Sequence, residues 1–185
     1  MDILRYMPAT CIICHRLHQE ETVEHIIPGS LGNEYYVMPK GEVCYQCNNR
    51  FARIENKVVS SHLFLNERKK YGLVKNQDIE GNELLEEHLY FLLVKMGYEG
   101  MYRSRKKIWE KFRWDEVQHY LNKRISFEPL NDRSLPANVK FRSIPGWIDR
   151  FRLRNNHLTL EYGIVDERLY VRFQYGKIRS WVRLI

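Results

Sequence analysis

Three short stretches near the start of the chain decide its reading: Cys11-Ile12-Ile13-Cys14, Glu24-His25-Ile26-Ile27-Pro28 and Cys44-Tyr45-Gln46-Cys47-Asn48-Asn49. All four cysteines of the chain lie in the two flanking stretches, each pair spaced CxxC. A two-residue spacer lets both thiolates of a pair reach one ion at about 2.3 Å, so two such knuckles read as a four-cysteine zinc site. Two disulfides or a redox dithiol are the alternatives. A reducing compartment disfavours the first, and a thioredoxin-like site uses one such pair. Zinc held by Cys11, Cys14, Cys44 and Cys47 has no open coordination position and serves structure. Any chemistry then falls to what lies between and just after the knuckles.

Between the knuckles, Thr22 to Ile27 has the β-branched content of a strand stopped by Pro28-Gly29, and Gly32-Asn33 offers a turn. Tyr35 to Met38 is the expected returning strand. After Cys47 the pattern becomes helical: Phe51, Ile54, Val58 and Val59 share one face, with Asn48 or Asn49 as N-cap. The helix is expected to continue to Tyr71-Gly72. The polar stretch 75–81 marks a boundary, giving an N-terminal module over residues 1–75 and a second domain over 76–185. In the latter, a helix is expected from Asn82 to Gly97 and another from Ser104 to about Lys123. Period-two strands follow at His157 to Tyr162, Arg168 to Tyr175 and Ile178 to Leu184, forming an antiparallel meander. The fold class is α+β.

Over 185 residues the formal charge is +7, with 12 tyrosines and 4 tryptophans. Such a balance favours a nucleic-acid partner, because phosphates attract the cations and aromatics can stack. No run approaches the roughly 18 apolar residues a membrane span needs, and no signal peptide is visible, so a cytoplasmic location is expected.

The order CxxC, Glu24-His25-Ile-Ile-Pro28, CxxC and Asn48 resembles the zinc-bound branch of the HNH endonucleases, in the ββα-metal superfamily. The resemblance covers roughly residues 8–72. It implies a zinc-stapled ββα-metal module that hydrolyses DNA phosphodiester bonds, in restriction or phage defence by analogy. His25 is then the general base, since imidazole titrates near neutrality. Glu24 and Asn48 would be the protein ligands of a hard divalent cation, Mg²⁺ or Mn²⁺. Adjacent strand residues point to opposite sides, so Glu24 and His25 require an irregular strand end. The family's middle asparagine has no clear counterpart; Asn33 is nearest, and its turn explains it. A further family histidine position is Ala52 here, and Glu55 lies roughly 10 Å along the helix from Asn48, too far for shared coordination.

Arg50, Arg53 and Lys57 on the helix, with Arg103, Arg105, Lys106 and Lys107, are candidates for binding the DNA backbone. The remaining domain would position DNA, and association as a homodimer is compatible with the sequence. A competing class is a non-catalytic zinc-ribbon DNA-binding protein or regulator. The other histidines lack partners at ligand spacing, and His88, on an apolar helix face, reads as a core residue.

Overall fold

A computed structural model of the chain describes residues 8–74, 80–123 and 134–185. The first CxxC knuckle is the tip of a small hairpin, β1 (Ala9–Thr10) against β2 (Leu17–His18), closed by His15 at a positive φ of 59°. The next segment is less regular than the expected pair of strands. It keeps a single antiparallel bridge, His25 with Val37, backed by Ile26 N–H to Tyr36 O at 3.2 Å and Met38 N–H to Glu24 O at 2.8 Å. Pro28 and the short 3-10 turn Gly29–Leu31 end the pairing after two residues. An irregular strand end is therefore where the acid-histidine pair sits.

Helix α1 (Tyr45–Val59) starts earlier than the asparagine cap would place it. The Asn48 N–H bonds Cys44 O at 3.0 Å, so the second knuckle is itself the first helical turn and Asn48 lies inside it. Cys47 thereby joins Phe51, Ile54 and Val58 on one buried stripe, at spacings of four, three and four. The expected run to Tyr71 is broken after Val59. Buried Ser61 turns its hydroxyl back to Val58 O at 2.6 Å and caps a separate helix, α2 (His62–Lys70). Asn82, expected to open a helix, pairs with Ser61 instead.

Helix α3 (Glu86–Ser104) is the centre of the molecule, buried on every side from Phe91 to Met101. It runs straight through Gly97, where a stop was expected. A Cβ on Gly97 would lie 2.8 Å from Val171 Cγ2 and 2.9 Å from Leu184 Cδ1. The glycine therefore lets helix and sheet approach and ends nothing. The expected helix to Lys123 is two pieces, α4 (Lys106–Trp109) and α5 (Asp115–Lys123). Trp114 stacks on Trp109 and donates its indole N–H to Trp109 O at 2.8 Å, folding the chain back between them.

The meander forms as expected. Strands β4 (Leu158–Val165), β5 (Arg168–Tyr175) and β6 (Ile178–Arg183) pair antiparallel in order, and a short β3 (Arg142–Ser143) adds to β4. Asp166 and Glu167, both at positive φ, make the first tight turn, and Gly176 serves the second. Helix α6 (Trp147–Asn155) lies between β3 and β4 in sequence. The stretch 75–79, where the sequence places a boundary, lies outside the described residues. One apolar core runs from Cys11 to Leu184, with Phe51 of α1 against Phe91 of α3 at 5.8 Å. No described helix is long and apolar enough to cross a membrane.

Candidate active site and metal centre

The hairpin tip and the first turn of α1 bring the four cysteines together. One sulfur from each of Cys11, Cys14, Cys44 and Cys47 lies within 4.8 Å of the others, none in a disulfide. Cys14 and Cys44 sulfurs stand 3.7 Å apart. A tetrahedron with arms of 2.3 Å has edges of about 3.8 Å, so the spacing fits zinc. The thiols behave as a crowded set: the hydrogen bond with Cys47 holds Cys11 down at about 4, while that bond raises Cys47 and burial raises Cys44. A divalent cation would stabilise all four as thiolates. Around them, the Cys44 N–H reaches Cys11 Sγ at 3.4 Å and the Arg50 guanidinium reaches Cys47 Sγ at 3.4 Å, contacts of the kind that orient ligands.

His25 stands at the single bridge, half-buried, with its backbone carbonyl accepting from Lys95 Nζ. Gly29 flanks its ring: a Cβ there would lie 3.5 Å from Nε2, in ordinary contact. Asn33 is buried and braces the loop that follows. Its amide NH2 donates to Ile27 O at 2.5 Å and Tyr36 O at 3.0 Å, and its Oδ1 accepts from Tyr36 N–H at 2.9 Å. Those bonds lock the two arms on either side of the 3-10 turn. Asn48 donates its side-chain NH2 to Val23 O at 3.2 Å. The helix start is thus tied to the residue preceding Glu24, and the amide oxygen is the atom Asn48 can offer a cation.

Glu24 turns inward and is 2% exposed. There it meets Lys95 of α3, which is wholly buried and pairs with Glu24, with Glu55 of α1 at 2.5 Å and with Glu99 at 3.4 Å. Burial alone would strip the proton from Lys95, but the carboxylates of Glu24, Glu55 and Glu99 outweigh it and hold the ammonium well above the usual lysine range. Burial pushes Glu24 up to about 7 against the pull of Lys95, and pushes Glu99 well above the carboxylate range. A carboxylate and an amide oxygen suit a hard cation in donor chemistry, and such a cation would share Glu24 with Lys95. Lys95 escapes sequence reasoning. The signal was a lysine with a glutamate four residues on inside an otherwise apolar stretch, 91–101, of that helix.

The basic candidates divide into two groups. Arg50 is committed to Asn122 O, Arg103 to Val37 O and Asp149, and Arg105 to Ser143 O at 2.6 Å and Pro145 O at 3.3 Å. Arg53, Lys57, Lys106 and Lys107 are exposed. His88 is buried beside Glu87, at 3.5 Å, and the four cysteines are the metal-holding group found among the described residues.

No curated protein and no solved structure matches the chain. Residues 11–63 match a family model described as HNH endonuclease. The matched stretch spans both knuckles, His25, Asn33, Asn48 and all of α1, the elements whose geometry is set out above. Residues 11–63 are therefore a module of the HNH endonuclease family.

Proposed function

We propose that the protein is a metal-dependent endonuclease hydrolysing DNA phosphodiester bonds, with His25 as its general base. The observation that carries this is the tie between the His25 segment and α1: Asn48, in the first turn of α1, donates to Val23 O at 3.2 Å, two residues before a half-buried His25 at an irregular strand end. In this reading the neutral imidazole takes a proton from the water that attacks phosphorus. Asn33 holds the loop beside the ring, and Lys95 holds the His25 carbonyl, so the base keeps its position during the reaction. Glu24 and Asn48 would hold a Mg²⁺ or Mn²⁺ ion, which supplies Lewis-acid stabilisation of the phosphoryl charge. Arg53, Lys57, Lys106 and Lys107 would take backbone phosphates, and a role in restriction or phage defence, in the cytoplasm, belongs to the same proposal. The test is plasmid cleavage as a function of added Mg²⁺ or Mn²⁺. Glu24→Gln and Asn48→Ala should each need more metal for half-maximal rate. Identical metal curves for wild type and both variants would remove these residues from the cation site.

One observation favours a second reading, a zinc-stapled DNA-binding protein without cleavage: the Glu24 carboxylate is 2% exposed and already paired with Lys95. Plasmid left intact under every metal while duplex binding persists would select it.

A further inference from the structure

The outer face of α6 carries three large apolar side chains in water. Trp147 is 83% exposed, Phe151 64% and Ile148 57%. A helix turns about 100° per residue, so these three fall within an arc of roughly 100°. Arg150 and Arg154 run along one edge of that arc and Arg152 along the other, all exposed. The inner face is occupied by Leu153, buried in the core, and by Asp149, the one acidic residue of the helix, which pairs with Arg103 at 3.9 Å. The outer face is thus apolar at its centre and cationic at both rims.

Its position ties this face to the site. The Asn156 amide that follows α6 donates to Gly32 O, Arg152 lies 4.5 Å from the centre of the Tyr35 ring, and Arg103 joins Asp149 to the carbonyl of Val37, the bridge partner of His25. These contacts anchor α6 on the loop that follows His25 and leave its apolar face turned to solvent. Guanidinium groups match phosphates in a fork geometry and stack on flat rings, as Arg152 does here on Tyr35. An apolar wedge between cationic rims is the surface that unstacks a base step while its flanks hold the backbone.

We infer that α6 is a wedge that engages double-stranded DNA next to the cleavage site: Trp147 enters a base step, Phe151 and Ile148 cover the adjoining sugars, and Arg150, Arg152 and Arg154 take phosphates. The choice of ligand rests on the nuclease reading, and the arrangement of α6 goes beyond it. Trp147 and Phe151 are largely in solvent, so their removal leaves folding intact.

The experiment measures fluorescence anisotropy of a short fluorescein-labelled duplex with protein carrying His25→Ala, so that DNA is not consumed. Adding Trp147→Ala and Phe151→Ala weakens binding roughly tenfold or more, with an unchanged melting curve. A duplex with 2-aminopurine at the contacted step brightens with the Trp147 protein and stays dark with the double variant. Arg150→Ala and Arg154→Ala each lower the salt slope of binding by about one. Unchanged affinity and a dark 2-aminopurine signal throughout overturn the inference. So does a double variant that keeps DNA affinity but dissociates a dimer or loses binding to vesicles of anionic phospholipid. Binding through α6 without plasmid cleavage would leave the wedge standing and remove the nuclease. Wild-type nicking by the double variant would do the reverse.

Discussion

Lys95 follows the apolar run Leu92-Leu93-Val94 and is wholly buried, so its ammonium has to be satisfied inside the protein. Three carboxylates and the His25 carbonyl do this, and the arrangement joins α3 to both α1 and the acid-histidine pair. Lys95→Met should destabilise the fold by about 3–5 kcal/mol, because the buried Glu24 and half-buried Glu55 lose their countercharge. Urea unfolding measures this; a loss no larger than that of a surface ion pair would mean that the cluster is solvated. Removing Lys95 also frees the Glu24 carboxylate. At this scale the sequence is legible only where chemistry is local. The cysteine spacing and the Glu24-His25 pair are contiguous signals. The meeting of Glu24 with Glu55 depends on where α3 lays Lys95, and no spacing within the first 60 residues reveals it. Helical spacing sets Glu55 roughly 10 Å along the axis from Asn48, yet Lys95 links Glu55 to Glu24.

Among the elements, the stripe Cys47-Phe51-Ile54-Val58, the core helix and the three long strands follow from periodicity, because each buries one face, or every face, in a regular way. Misreadings arise where one residue type has two uses. Gly97 reads as a helix stop but lets α3 touch β5 and the end of the chain. Residues 104–123 have an apolar pattern that fits one helix, but Trp114 stacks on Trp109 and the helix is split. Thr22 to Ile27 has strand composition, but Pro28 and the Asn33 bonds reduce the pairing to one bridge. Gly97→Ala separates the two meanings of that glycine. As a free helix position it would gain about 1 kcal/mol in helix propensity; pressed against Val171 and Leu184 it should lose about 1–3 kcal/mol to overpacking. A stabilised Gly97→Ala in a denaturant titration would contradict the close packing of α3 on the sheet.

At the scale of the molecule, the cysteine cluster, Ile26 and Ile27 after the acid-histidine pair, and the sheet share one core, so they should not come apart independently. Metal analysis should find about one zinc per chain, and Cys44→Ser or chelation should bring down the whole protein in a single transition at lower temperature, since structural zinc binding is coupled to folding. Zinc-free protein with an unchanged melting curve would remove the staple. What the core supports is a rigid frame, built from α1, α3 and the braced loop, around a base that remains partly open to solvent. Whether this base does chemistry is decided by nicking of supercoiled plasmid by zinc-loaded wild type and His25→Ala in Mg²⁺ or Mn²⁺. Wild type should nick, and His25→Ala, with the same zinc content and melting temperature, should be slower by a factor of about 10²–10⁴. Equal nicking by the two proteins, or none by either, would contradict a catalytic His25.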